Sequence, residues 1–110
     1  MTNKVTFLGE LEQMLLLAVV RLEDGAYGMA IRSELETQTG RCVARGAVYI
    51  TLDRLVQKGY LQSWLGDSTP ERGGRAKRYF ELTKAGKRAL RASREALVNL
   101  WNGYESKIEA

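Results

Sequence analysis

Residues Arg45–Gln62, RGAVYITLDRLVQKGYLQ, carry two patterns on one short stretch. At about 100° per residue, the advance of a helix with 3.6 residues per turn, Val48, Leu52, Leu55 and Val56 fall together at i, i+4, i+7 and i+8, as a core-facing stripe does. The opposite side gathers Gly46, Ala47, Ile50, Arg54 and Gln57, with Tyr49 and Thr51 at its borders. A helix from about Arg45 to Lys58, ended by Gly59, therefore has one face for a core and a second that asks for a partner.

Upstream, Leu8, Leu11, Leu15, Ala18, Val19 and Leu22 recur at helical spacing, and Leu16, Leu17 and Val20 widen the stripe until the helix reads as deeply buried. Asp24 and Gly25 break it. A second helix follows from about Gly28 to Gln38, with Tyr27, Ile31 and Leu35 inward and Gly40 as a left-handed stop; Arg41–Val43 is a short extended link. Downstream, Tyr60–Leu65 sets Leu61, Ser63 and Leu65 against Gln62 and Trp64, the alternation of a half-buried strand. Gly66–Ala76, with Pro70 and the Gly73-Gly74 pair, reads as a hairpin tip, and Lys77–Leu82 as the returning strand. Thr83 has the chemistry to cap a last helix. The fold class is thus α+β, mostly helical: a winged helix-turn-helix of three helices, a two-stranded wing and a long C-terminal helix. We expect one structural domain, with residues 1–82 as its DNA-binding part and 83–110 as its C-terminal helix. A generic α+β domain is the competing reading.

Composition removes several function classes. The 110 residues, 45% hydrophobic, fill one modest core. The chain has no histidine and a single cysteine, Cys42, so neither a Ser/His/Asp or Cys/His catalytic machine nor a Cys/His metal site can be assembled. We expect no enzyme, no cofactor and no bound metal, and read Cys42 as a small buried hydrophobe. The apolar run Met14–Val20 is too short to cross a bilayer and no signal peptide precedes it, so the expected location is the cytoplasm, at the nucleoid when DNA-bound, with no membrane partner. A net charge of +4 favours anionic partners, and residues 41–79 concentrate it, with eight basic side chains against three acidic.

Three blocks carry a resemblance. GAYGMAIRSELETQTG (Gly25–Gly40), ARGAVYITLDRLVQKGYLQ (Ala44–Gln62) and GGRAKRYFELTKAGKRAL (Gly73–Leu90) resemble, in order and spacing, the signature blocks of the PadR family of bacterial transcriptional regulators. The resemblance covers about Leu8 to Leu90 and implies a dimeric repressor on a palindromic operator. The chain length is similar to that of the compact subgroup, which has one C-terminal dimerisation helix. Two positions depart from the family pattern. Ala44 and Arg45 stand before Gly46 where a small hydroxyl residue is usual, which removes a side-chain cap and adds a cation; Ile50 stands where proline often follows the tyrosine.

With double-stranded DNA as the partner, each residue type acquires a role. Gly46 and Ala47 let the backbone approach a groove, and the helix N-terminus beside Arg45 favours a phosphate. Arg54 and Gln57 suit base edges and Ile50 a thymine methyl. Tyr49 suits a phosphate oxygen, and Thr51 borders the same face. In the wing, Arg72, Arg75, Lys77 and Arg78 suit a backbone or a narrow minor groove, although strand alternation sets Lys77 and Tyr79 on one side and Arg78 and Phe80 on the other. Lys84, Lys87, Arg88, Arg91 and Arg94 read as a solvated basic face. The stripe Leu97, Trp101, Tyr104 and Ile108 outruns so small a core; packed on Leu11 and Leu15 of helix one of a second copy, it would form a two-fold homodimer. Ligand-sensing PadR proteins further imply a pocket at Trp101, Leu97 and Tyr104 for a flat hydrophobic effector, and plain dimer packing is the reading preferred over it. The function class set against all of this is a winged-helix protein-interaction module without a DNA-binding role. If these cations meet phosphate, log affinity for duplex DNA falls linearly with log salt, by about 0.9 per phosphate neutralised; a titration by fluorescence anisotropy that finds no slope removes the assignment.

Overall fold

The computed structural model of the chain describes residues 7–66 and 76–108. Four helices and a hairpin follow in the order α1 (Glu10–Leu22), α2 (Gly28–Thr39), α3 (Arg45–Gln57), β1 (Leu61–Leu65), β2 (Arg78–Leu82) and α4 (Lys84–Ile108), with one 3-10 turn, Glu23–Gly25, after α1. This is the α+β, mostly helical winged arrangement that the periodicities imply. The stops are where turn chemistry puts them: Gly40 and Gly59 adopt φ of 73° and 82°, the left-handed region in which a Cβ is penalised.

α1 lies at the centre and packs against α2, α3, β2 and α4. Leu15, Leu16, Ala18 and Val19 are buried, and so are Ile31 and Leu35 of α2, Val48, Leu52 and Leu55 of α3, Leu61 of β1 and Phe80 of β2. The helix is not buried all round, however. Leu17 and Val20 are about half exposed, because they lie on the side of α1 that α2 and α3 leave open. Leu8 precedes the helix yet is buried, and its N–H donates to the Ser93 hydroxyl of α4 at 3.1 Å.

In the sheet, β1 and β2 pair antiparallel from Leu61↔Leu82 to Leu65↔Arg78. An isolated bridge extends its β2 edge: Tyr27 pairs with Tyr79 and the Phe80 N–H donates to the Ala26 carbonyl at 2.8 Å. No period can announce so short an element. Leu61 and Ser63 face inward as their alternation predicts, but Leu65 is 71% exposed, since it lies at the wing end of β1 while the buried Leu61 lies at the core end. Cys42 also departs from its expected burial. It lies exposed in the α2–α3 link, with Arg32 Nη2 at 3.8 Å from its sulfur.

Two polar groups join elements distant in sequence. The Thr83 hydroxyl accepts from the Gly86 N–H at 3.0 Å, capping α4 as its type predicts, and donates to the Gly59 carbonyl at 2.6 Å. Glu12 accepts from the Gly9 N–H at 2.9 Å and from Lys58 Nζ at 2.7 Å, so one carboxylate closes the first turn of α1 and holds the C-terminal end of α3. Burial pushes the Glu12 carboxyl up, but the hydrogen bonds from Lys58 and the Gly9 N–H, with the charges of Lys58 and Arg54, more than reverse this and hold it below its ordinary value. A depressed folded-state value means the stabilisation is present above the carboxylate range and is lost as pH falls through it. Glu12→Gln should therefore cost ~1 kcal/mol near neutral pH, and the gap to the parent, read by urea unfolding, should close on acidification; a gap that stays constant with pH contradicts the assignment.

Candidate nucleic-acid interface

α3 begins without a side-chain cap, because Ala44 occupies the cap position. Its solvent side carries Arg45, Gly46, Ile50, Asp53, Arg54 and Gln57, all exposed, while Ala47 and Tyr49 are half-buried. Ile50 is 61% exposed, a large apolar side chain open to solvent. Thr51 departs from its predicted place at the border of this face. It is buried, since it lies next to the Leu55 and Val48 side of the helix, and it leaves the set of groups that can reach a groove.

Tyr49 is positioned by a glycine whose role no local pattern reveals. Its ring lies directly over Gly28 at the start of α2, so closely that a Cβ on Gly28 would collide with the hydroxyl and the ring. The Arg45 guanidinium carbon stands 5.8 Å from the centre of the same ring. The first two turns of α3 thus present a cation backed by an aromatic ring, which in turn rests on bare backbone.

The wing supplies two described cations. Lys77 Nζ lies 3.8 Å from the centre of the Tyr27 ring, in an aromatic cluster where Tyr27 meets Tyr79 edge-on and Tyr79 stacks with Trp64. Arg78 reaches the other way, toward α3: Nη1 donates to Asp53 Oδ1, Nε and Nη2 both donate to the Ser63 hydroxyl at 3.2 Å, and the guanidinium carbon lies 4.9 Å from the Phe80 ring centre. The opposite directions of Lys77 and Arg78 are those that strand alternation predicts. Asp53 and Ser63 are not among the site residues that the sequence predicts, though Asp53 shares the outer face of α3, where an acid among several cations calls for a partner. Arg72 and Arg75, with the Gly73-Gly74 pair, lie outside the described residues.

A second surface lies along α4. Leu97, Trp101, Tyr104 and Ile108 are about half exposed, and every described side chain from Leu97 onward is open to solvent. Trp101 and Tyr104 meet edge-on with ring centres 5.4 Å apart. The helix-one residues expected opposite them are corrected by the structure: Leu15 has no exposed surface and belongs to the core, and Leu11 is half-buried against that core. Leu17, about 200° round the helix from Leu15, is half-exposed instead and lines, with Gln13, Leu90, Leu97, Val98 and Trp101 of the same protomer, a groove of about 380 Å³. Arg91 and Arg94 line it too. Among the described residues no cluster of acidic, histidine or cysteine side chains could hold a metal ion, and no helix is long and apolar enough to cross a membrane.

The family model described as the transcriptional regulator PadR-like family matches residues 16–92. No curated protein sequence matches the chain. Among solved structures, a PadR-like transcriptional regulator from Bacillus cereus is 19% identical over 91% of this chain and 92% of its own, with a TM-score of 0.74. A PadR family transcriptional regulator from Eggerthella lenta is 25% identical over 92% of this chain and 88% of its own, with a TM-score of 0.70. The structure of the hsRosR-S4 complex is also similar, at 26% identity over 86% of this chain and 75% of the other, with a TM-score of 0.64.

The contact between Tyr49 and Gly28 makes a prediction whose sign is informative. Alanine in place of a helical glycine ordinarily stabilises by ~0.5–1 kcal/mol, but Gly28→Ala should destabilise by ~1 kcal/mol because Tyr49 must leave its seat. In a Tyr49→Ala background the same change should stabilise. Thermal melts that find one sign in both backgrounds contradict the contact.

Proposed function

This chain belongs to the PadR-like family of transcriptional regulators, and we propose that it is a homodimeric repressor that binds a palindromic operator through α3 and the wing. The observation that carries this reading is the outer face of α3. Arg45, Arg54 and Gln57 are exposed there together with Ile50, beside small Gly46 and Ala47, a combination of residue types that suits a major groove. Arg45 and Tyr49 fit the phosphates at the groove edge, and Lys77 fits the flanking backbone. Arg72 and Arg75 join them in the proposal as groups of the wing tip. This assignment makes residues 1–82 the DNA-binding part and 83–110 the dimerisation helix of one domain. The working location is the cytoplasm, at the nucleoid.

The dimer rests on burial. An amphipathic helix is stable when its apolar stripe is covered, and the stripe Leu97, Trp101, Tyr104 and Ile108 is open in the protomer. Two copies joined along it, with Leu17 of α1 contributing, set two α3 helices about a two-fold axis, and a half-site spacing near 34–36 Å would suit successive major grooves. A flat hydrophobic effector entering beside Trp101 would release the operator to the extent that it prefers one spacing of the two helices over the other.

Random-site selection with the full chain tests the reading. An enriched inverted repeat is the expected result; enrichment of a single half-site argues against the dimer, and no enrichment argues against sequence-specific binding. Trp101→Glu places a charge in the seam. It should shift the chain to monomer in sedimentation and weaken binding to the enriched duplex by ~10-fold or more, as the loss of a buried aromatic anchor does.

A further inference from the structure

Asp53 lies one turn from Tyr49 and one turn from Gln57 on the outer face of α3. A bare carboxylate there would oppose the phosphates that the neighbouring cations attract. It is not bare, because Arg78 Nη1 donates to its Oδ1. The same guanidinium gives Nε and Nη2 to the Ser63 hydroxyl at 3.2 Å each and stands over the buried Phe80 ring. Every nitrogen of the fork is therefore engaged, on three different elements: α3 through Asp53, β1 through Ser63, and β2 through its own backbone and Phe80. A planar fork with fixed donor directions sets an angle between its partners, which a flexible ammonium does not.

We propose that Arg78 is a positioning residue, which holds the wing at a set angle to α3 and neutralises Asp53, and that it makes no phosphate contact of its own. This rests on the reading of α3 and the wing as a DNA-binding surface. The pair is open to solvent, with side-chain exposures of 37% and 52%, so the tie is worth little as stability. Its effect lies in geometry: a wing that swings relative to α3 cannot meet the backbone while α3 meets the groove. Asp53 is the unexpected member, a negative side chain that strengthens binding to a polyanion.

The test uses the full chain and a fluorescein-labelled duplex of mixed sequence, titrated over a range of salt. Arg78→Lys keeps the charge but cannot span Asp53 and Ser63, and should weaken binding about two- to five-fold, the range of an exposed ion pair, with the salt slope unchanged. Asp53→Asn should weaken binding by a similar factor although it removes a negative charge. A phosphate-contacting Arg78 gives the opposite pattern, in which Arg78→Lys binds as the parent does, Arg78→Gln lowers the salt slope by about 0.9, and Asp53→Asn binds more tightly; that pattern overturns the proposal. Amide hydrogen exchange separates its failure from failure of the DNA reading. Asp53→Asn should speed exchange in β1 and β2 and leave α1 unchanged, whether or not the parent binds DNA, and unaltered exchange in the strands overturns the tie itself.

Discussion

The fold depends on covering α1. Leu15 and Leu16 have no exposed surface, and the side chains that bury them come from each of the other helices and from the sheet. At roughly 25 cal/mol per Å² of apolar area, that shared burial outweighs any single polar contact in the molecule. It also dictates orientation. α3 must turn Val48, Leu52 and Leu55 toward α1, and because a helix has one circumference, the direction of its outer face follows from the direction of its inner one. The candidate DNA surface is in this sense the complement of the core.

The polar contacts act on a smaller scale and set angles. Glu12 holds the end of α3 against the start of α1, Thr83 joins the turn after α3 to the cap of α4, and Arg78 joins the wing to α3. The Arg78–Asp53 pair is open to solvent and contributes little free energy, whereas the nearly buried Glu12 contributes ~1 kcal/mol. Their placement is informative: two of them hold the C-terminal end of α3 and the third ties the hairpin to its outer face, the parts whose mutual alignment the proposed docking on a duplex needs.

How much of this was legible in the sequence varies with the physical origin of each feature. Helix limits, the left-handed stops at Gly40 and Gly59, and the cap at Thr83 are local, and local chemistry predicts them. The inner and outer sides of α3 are also legible, because Val48, Leu52 and Leu55 repeat at a helical period. Where many residues are apolar the period loses its meaning: along Met14–Val20 nothing in the pattern says that Leu15 is core and Leu17 surface, since that depends on which neighbours pack where. Thr51 fails for a related reason, being a polar type at a border position that the core claims. Tyr27 pairs with β2 through a single residue, and Arg78 finds Asp53 at a separation of 25 residues; neither is visible before the chain is folded. Gly28 could be noticed only as a glycine at the start of a helix, since its reason is the Tyr49 ring above it.

The exposed end of α4 has a thermodynamic consequence. From Leu97 to Ile108 every described side chain is exposed in the protomer, and a helical segment of that length is marginal in water on its own propensity. Its order must then be supplied by whatever covers the stripe, so helix content and occupancy of that surface form one linked equilibrium. With a second copy as that cover, as proposed, the number of ordered residues would become a function of concentration, and dilution would shorten the helix before it disturbs the core.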